Sequence, residues 1–388
     1  MNNNLRIAII GGGPGGLTLA RILARHGVHA TVFEQESHPL ERPQGGTLDL
    51  HDDSGLEALR QAGLIEAFGT IARYEDQGTR LLDMAGNVLF EDEDAAAGNR
   101  PEVDRTALRE LLLASLPVDC VHWGCALRAA KAAADERWEL VFDHGVEGPF
   151  DLVVGADGAW STIRPLLSTY RPQYSGLSFL EFGIDDVDRR HPALSALVGR
   201  GKMSVEGNGK AIIALRNGNA HIRGYAIFRV PADWTVKRFN PAMPSSLREE
   251  LVKQFDGFFP AIGDLFRASN DNFAVRPIYA LPVGHCWTHR RGLTLIGDAA
   301  HVMSPFGGDG VNNAMFDAAE LARWLLDSVE QSSHGKDWSA AVAVYEAAMF
   351  VRVAASAEGA AEAAATQLSH DGQALTLEMY RSHAQHSH

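Results

Sequence analysis

Gly11, Gly13 and Gly16 stand at the first, third and sixth positions of a G-x-G-x-x-G pattern, directly after the apolar run Leu5–Arg6–Ile7–Ala8–Ile9–Ile10. An apolar helical pattern of Leu17, Leu19, Ala20, Ile22 and Leu23 follows at once. In such a strand–turn–helix the first glycine permits the turn, the second lets the backbone approach a pyrophosphate, and the third lets the helix pack on the strand. Gly15 falls at the helix start, whose unpaired amides face a bound phosphate. The next strand-like run, Ala30–Thr31–Val32–Phe33, ends at Glu34, about twenty residues on, where an acid grips a ribose hydroxyl. A glycine turn with no ligand is the plain alternative, and the acid at this distance weighs against it. The chemistry these residues point to is dinucleotide binding.

Two later loops repeat the pattern of apolar strand, acid and small residues. Asp151–Val154 runs into Gly155–Ala156–Asp157–Gly158, with Ser161 and Arg164 on the next helical turns. A buried strand that stops there puts Asp157 at the carboxyl end of a parallel sheet, where ligands of such sheets bind. By itself Asp–Gly is only a turn signal. The third loop begins with Gly292–Leu293–Thr294–Leu295–Ile296 and Gly297–Asp298–Ala299–Ala300–His301. It continues through Pro305–Phe306–Gly307–Gly308–Asp309–Gly310–Val311–Asn312 into a helix carrying Met315, Leu321 and Leu325. That helix start can face an anion or a carbonyl-rich ring. The sequence holds no convincing metal site.

The elements that must position these loops fit a chain of 388 residues, long enough for a large core and for two or more domains. A net charge of −14 argues against a nucleic-acid partner, because phosphate binding needs a basic face. Three cysteines, Cys120, Cys125 and Cys286, form no C-x-x-C pair and fit a reducing compartment. The first apolar run is too short to span a membrane and is already used as a strand. A cytoplasmic protein with no membrane partner is the expectation.

Between the first two loops, Gly45–Gly46–Thr47–Leu48–Asp49–Leu50–His51 alternates as a strand with one polar face, on which Asp49 needs a partner if buried. Ser54 to Phe68 reads as one amphipathic helix. Thr79 to Phe90 reads as a hairpin turning at Ala85–Gly86–Asn87, and Glu91 to Asp94 as a solvated loop. Pro101–Glu102–Val103–Asp104–Arg105 is expected to open a helix on which Arg105 and Arg109 share a face. Two such arginines suit either a solvated surface or an anionic ligand. Trp138 to Phe142 is a further strand. From about Arg171 the texture changes to strand-like runs, Phe179 to Ile184, Lys202 to Val205, Lys210 to Leu215 and His221 to Val230, which read as a second domain built on a largely antiparallel sheet. Phe255 to Ile262 suits a core better than a pocket. Trp338 to about Leu368 reads as an alanine-rich helix with Val342, Tyr345, Ala348 and Met349 on its apolar face, lying as a brace across both domains. His383, His386 and His388 are expected in a disordered end.

With Gly11-x-Gly13-x-x-Gly16 and Glu34, Asp157–Gly158-x-x-Ser161-x-x-Arg164, and Gly297–Asp298 with Pro305, Gly307, Gly310 and Asn312, the chain resembles the class A flavoprotein aromatic hydroxylases of the para-hydroxybenzoate hydroxylase fold. Within that group the Gly45–His51 stretch and Pro101–Glu102–Val103–Asp104–Arg105-x-x-x-Arg109 are similar to the tetracycline-inactivating monooxygenases of the TetX type. The resemblance implies an α/β chain with a Rossmann-type FAD-binding domain over 1–70, 101–172 and 273–335. It implies a largely antiparallel-sheet substrate domain over 71–100 and 173–272, and a C-terminal bridging helix and tail over 336–388.

The resemblance also assigns roles. Gly11, Gly13, Gly15, Gly16 and Glu34 would hold the ADP part of a non-covalent FAD. Asp157 would touch both FAD and NADPH, and Arg42 would contact NADPH as a transient co-substrate. Asp49, Arg105 and Asp298 would contact FAD, with Arg109 beside them. Pro305, Gly307, Gly310, Val311 and Asn312 would face the isoalloxazine ring. Phe306 and Gly308 would face the substrate, and so would Glu181 and Arg223, which stand where the TetX-type enzymes carry a glutamine and a histidine. No side chain is expected to be catalytic, since a flavin C4a-hydroperoxide does the chemistry with O2. The implied activity is an NADPH-consuming hydroxylation of a tetracycline-like polycycle by a monomer. The alternatives are hydroxylation of another aromatic polyketide or phenol, and a flavin- or ligand-binding protein without turnover.

Overall fold

The computed structural model describes residues 5–41, 45–75, 77–92, 100–330, 337–366, 368–369 and 371–386. The first loop is framed as the glycine spacing predicts, by β1 (Ile7–Ile10), α1 (Pro14–Arg25) and β2 (Ala30–Phe33). β3 (Thr47–Asp49), α2 (Gly55–Ala62), α3 (Ile65–Gly69), β4 (Gly78–Leu82), β5 (Val88–Asp92), β6 (Glu102–Asp104) and α4 (Arg105–Ala114) follow. Then come β7 (Val121–His122), β8 (Ala129–Ala132), β9 (Trp138–Phe142), β10 (Gly145–Phe150) and β11 (Leu152–Gly155). β12 (Gln173–Ile184) leads through α5 (Val187–Arg190) and α6 (Pro192–Val198) to β13 (Gly201–Gly207), β14 (Lys210–Asn217) and β15 (His221–Arg229). α7 (Trp234–Arg238), α8 (Pro244–Gln254) and α9 (Pro260–Ala268) precede β16 (Ala274–Ala280) and β17 (Leu293–Leu295). α10 (Asp298–His301), α11 (Gly310–Glu330), α12 (Trp338–Thr366) and α13 (Gly372–His386) end the described chain.

Two sheets dominate. The first is parallel, in the order β17-β11-β1-β2-β7, and every residue of β1 and β11 is buried, which is why both read as unbroken apolar runs. β1 lies between β2 and β11, with Ile7 opposite both Ala30 and Leu152. The chain therefore leaves β1 in one direction and returns on its other side, which makes the carboxyl ends of β1 and β11 the crevice of the sheet. The second sheet has seven strands in the order β16-β12-β15-β14-β13-β4-β5, antiparallel except where β13 meets β4. Alternation along its strands separates two faces. Leu180, Phe182, Ile184 and Phe228 pack with Leu194, Leu251, Phe255 and Ile262 of the helical segment, so Phe255 to Ile262 is core. Leu177, Phe179 and Ile227 point the other way, toward Ala364, Leu368 and Phe306.

Five local expectations are corrected. Ser54 to Phe68 is two helices rather than one, because Gly63 takes a left-handed φ of +68° and the Leu64 amide closes back on Leu59 O. Residues 102–104 are a strand and not a helix start, since Leu48 of β3 pairs with Val103 and the helix begins only at Arg105. Of the expected loop from Glu91 to Asp94, Glu91 and Asp92 instead end β5, with Arg80 donating to Glu91 at 2.6 Å, while Glu93 and Asp94 lie outside the described residues. The stretch with His383 and His386 belongs to α13, while His388 lies outside the described residues. In α12 the buried positions include Val342, Tyr345, Met349 and Val353, whereas Ala348 is exposed.

Candidate cofactor site and substrate face

The three loops meet at the crevice between β1 and β11. Gly11 has φ +111°, and a Cβ there would stand 2.3 Å from Ala156 O, so only glycine fits between the two strand ends. A Cβ at Gly16 would fall 2.2 Å from Gly11 O, and one at Gly15 would fall 2.9 Å from Ala314 O of α11. Gly13, which caps α1, is different: its Cβ would meet no described atom within 4 Å. The space beside the helix N-terminus is therefore open, and a helix start is where an anion binds. Glu34, 6% exposed, accepts from the Gly12 amide at 2.6 Å and the Glu36 amide at 3.0 Å. Each carboxylate oxygen retains a lone pair for a hydroxyl donor.

The second motif is largely a brace for the third. Ser161 Oγ accepts from the amides of Ile163 and Arg164 at 3.1 and 2.9 Å. Arg164, 3% exposed, donates to Ala159 O at 2.5 Å, to Ala299 O at 2.9 Å and to Asp298 O at 3.4 Å. Asp157 Oδ2 accepts from the Thr162 amide at 2.7 Å, but Oδ1 is buried with no hydrogen-bond partner among the described residues. Burial pushes this carboxyl above its ordinary range. A buried polar atom left unpaired costs about 1–3 kcal/mol, which a donor on a ligand would recover. Asp298 is solvent-exposed yet hemmed in by protein, as at the floor of an open recess. That crowding raises its carboxyl pKa, against the pull of His301, Arg105 and Arg164.

The third loop exposes Pro305, Gly307 and Gly308, while Phe306 sets its ring edge-on to Phe179 at 5.6 Å. A Cβ on Gly310 would meet nothing described within 4 Å. Val311 is half-buried against the parallel-sheet core. Asn312, 2% exposed, spends its amide on the backbone after β3: Nδ2 donates to Asp49 O and Oδ1 accepts from the His51 amide, both at 2.9 Å. Asp49 finds the partner it needs in His51 Nε2 at 3.1 Å. Burial works against ionisation of Asp49, but the bond to His51 and its charge outweigh it and lower the pKa.

Arg105 and Arg109 do not act alike. Arg109 is 4% exposed, pairs with Glu36 at 2.7 Å and donates to Pro39 O at 3.1 Å. Arg105 lies near Gly45, and its charge bears on both Asp298 and Tyr225, so it stands between the loops and the second sheet. Arg42 lies outside the described residues.

On the inner face of the second sheet, Glu181 is 5% exposed and clasped by Arg223 Nη1 at 2.5 Å and Arg276 Nε at 2.6 Å. Tyr225 faces Glu181 across the ladder, and burial with the Glu181 charge pushes its hydroxyl pKa up. Glu181 and Arg223, both expected to face the substrate, thus pair with each other, and Arg276, which the sequence does not single out, joins them only through the β12–β16 register. Sequence reasoning also missed Glu102, directly opposite Asp49 on the β3–β6 ladder. Burial and the Asp49 charge push Glu102 up to about 7, although Thr47 Oγ1 donates to it at 2.6 Å.

An open helix N-terminus, a buried acid at the end of β2, an orphaned carboxylate oxygen and a recessed aspartate make a donor and acceptor set that fits FAD. Gly13 and Glu34 would hold its adenosine diphosphate half, and Asp157 and Asp298 the part nearer the ring. Bound there, FAD would supply the redox chemistry that activates oxygen. The chain itself binds, orients and presents the polar face of its second sheet.

Comparisons agree. The sequence family described as "FAD binding domain" matches residues 4–129 and 146–337. "Monooxygenase penA" of Penicillium thymicola is 33% identical over 370 residues, 83% of this chain and 85% of that protein. HpxO of Klebsiella pneumoniae, solved with FAD and uric acid, superposes with a TM-score of 0.82 at 22% identity, covering 98% of this chain and 93% of that one. The tetracycline destructase Tet(51) gives 0.73 at 23% identity, covering 99% and 96%. At such identities the two structures speak for the fold. The chain belongs to the FAD-binding family of class A flavin monooxygenases and is an FAD-dependent monooxygenase.

Proposed function

We propose that this monooxygenase consumes NADPH and hydroxylates an electron-rich, tetracycline-like polycycle lodged between the loop 305–308 and the inner face of the seven-stranded sheet. The observation that carries the reading is the surface formed there, with Phe306 against Phe179 and, on the same sheet face, Glu181 bound by two arginines. The aromatic pair offers a flat apolar wall for fused rings. The charges of Glu181, Arg223 and Arg276 sum to one positive charge, which favours the enolate or phenolate form of a ring about to be hydroxylated. Only one dinucleotide fingerprint exists in the sequence, so NADPH binds transiently and without a Rossmann domain of its own.

A second reading keeps the chemistry and changes the substrate to another aromatic metabolite. The fungal monooxygenase relative favours it, as does a charged pair standing where the TetX-type enzymes carry a glutamine and a histidine. The test is NADPH oxidation and oxygen uptake by the FAD-loaded protein with a tetracycline panel and, in parallel, with simple phenols and anthraquinones. A tetracycline that stimulates both and gains the mass of one oxygen atom supports the first reading. A mass gain confined to the second panel overturns it.

A further inference from the structure

Behind the recess that holds Asp298 lies a buried polar knot that no cofactor contact explains. Asp317 of α11 has no exposed surface, yet it is an ionisable group beside the apolar residues Ala318, Leu321 and Leu325 of the same helix. One of its oxygens, Oδ2, accepts from the Gly297 amide at 2.8 Å and bonds His301 Nε2 at 2.6 Å. The other is paired with Arg352 of α12, which also donates to Asn313 Oδ1 at 2.5 Å. Burial works against an ionised Asp317, but the charges of His301 and Arg352 and the Gly297 amide outweigh it and lower the pKa. Removing one member of such a group strands a buried charge, so its retention calls for a reason beyond packing.

Gly297 and His301 bracket Asp298. Gly297 has φ +59°, and a Cβ there would stand 2.8 Å from Ala314 Cβ, so the turn is pressed onto α11. The His301 amide closes on Gly297 O at 2.9 Å. Nδ1 of His301 is buried with no partner among the described residues, so the imidazole is oriented from one side only, by Asp317.

We propose that Asp317 and His301, steadied by Arg352, are positioning residues that fix where Asp298 meets FAD and so set how tightly the cofactor is retained. The inference rests on the reading that Asp298 contacts FAD. Asp317 acts at both ends of the turn, through the Gly297 amide and the His301 ring, and leaves Asp298 between them as the solvent-exposed acid of the turn. Arg352 carries the same restraint to α12, whose far end packs against the substrate face through Ala364.

The experiment is an FAD titration of the apoprotein followed by flavin fluorescence, with the melting temperature of each apo variant recorded alongside. Asp298→Ala tests the underlying contact, Asp317→Asn and His301→Ala test the inference, and His301→Gln is the rescue because its amide reproduces the Nε2 donor. Asp317→Asn and His301→Ala should each weaken FAD binding about tenfold, and His301→Gln should stay within threefold of the parent. Asp298→Ala with Asp317→Asn should bind FAD no more weakly than Asp298→Ala alone, as expected for groups acting through one residue. An unchanged dissociation constant for Asp298→Ala overturns the contact and the inference with it. A weakened Asp298→Ala beside a parent-like Asp317→Asn overturns the inference alone. If Asp317→Asn does not fold, His301→Ala against His301→Gln decides the matter, and equal loss in both refutes the positioning role.

Discussion

Gly13→Ala separates the needs of the fold from those of the ligand. Gly13 has φ −82° and ψ 178°, an extended conformation open to alanine, and its Cβ would meet no described atom within 4 Å. Restricting the unfolded chain stabilises by about 0.4–1 kcal/mol. Alanine is a poorer helix cap than glycine, which offsets much of that gain. The net change in the apoprotein is within about 0.5 kcal/mol, a shift of no more than about 2 °C in melting temperature for a chain of this size. FAD binding should suffer instead, because the methyl occupies the space from which a pyrophosphate reaches the amides of α1. Losing one charge-assisted hydrogen bond costs about 1.5–3 kcal/mol, or roughly tenfold to 150-fold in the dissociation constant. Thermal melts with and without FAD read both effects, since the added stability depends on the ratio of FAD to its dissociation constant. Gly11→Ala is the contrast, and there the fold itself should fail. An FAD affinity for Gly13→Ala within twofold of the parent, with the apo melting temperature unchanged, would refute the cradle.

Arg105→Ala should weaken FAD retention by about 1.5–3 kcal/mol in a filtration assay, whereas an arginine serving only the surface would be nearly silent. Arg164→Ala should lower apoprotein stability, read as a urea midpoint, because Ala159 O and Ala299 O lose their buried donor at about 1–3 kcal/mol each; lysine should not rescue it, lacking the fork. Glu102, raised from 4.5 to about 7, binds more protons folded than unfolded between those values. Its contribution is therefore complete below about pH 4.5 and is lost as pH rises through 7. Glu102→Gln should be nearly neutral at pH 4 and stabilising at pH 8, by on the order of 3 kcal/mol at most; equal urea midpoint shifts at the two pH values would sink that reading.

What the sequence made legible follows from where each signal resides. β1, the glycine turn and α1 were readable because a fully buried strand, a backbone need and a one-sided helix all leave local marks. The alternation of the second sheet was readable for the same reason. β6 was not, because three residues form a strand only through the pairing of Val103 with Leu48. Arg109 looked like one of two equivalent arginines, and its burial depends on Glu36, which no helical spacing reveals. The clasp on Glu181 needs the register of three strands. Asp317 did leave a mark, an acid beside the apolar residues Ala318, Leu321 and Leu325 of α11.

The order of strands in the parallel sheet also governs how the polypeptide matures as it is made. Ile7 of β1 waits for Leu152 of β11, and Val153 of β11 waits for Leu293 of β17. Pairings so distant in sequence close slowly. Until β17 arrives, the wholly apolar β11 is an open edge during synthesis, the kind of segment that captures other chains. On the cofactor site proposed here FAD offers no early help, since Asp298 and the loop to Asn312 emerge after both strands that flank the first glycine turn. Heterologous yield should therefore respond to chaperones that shield nascent chains and to slower synthesis, more than to riboflavin in the medium.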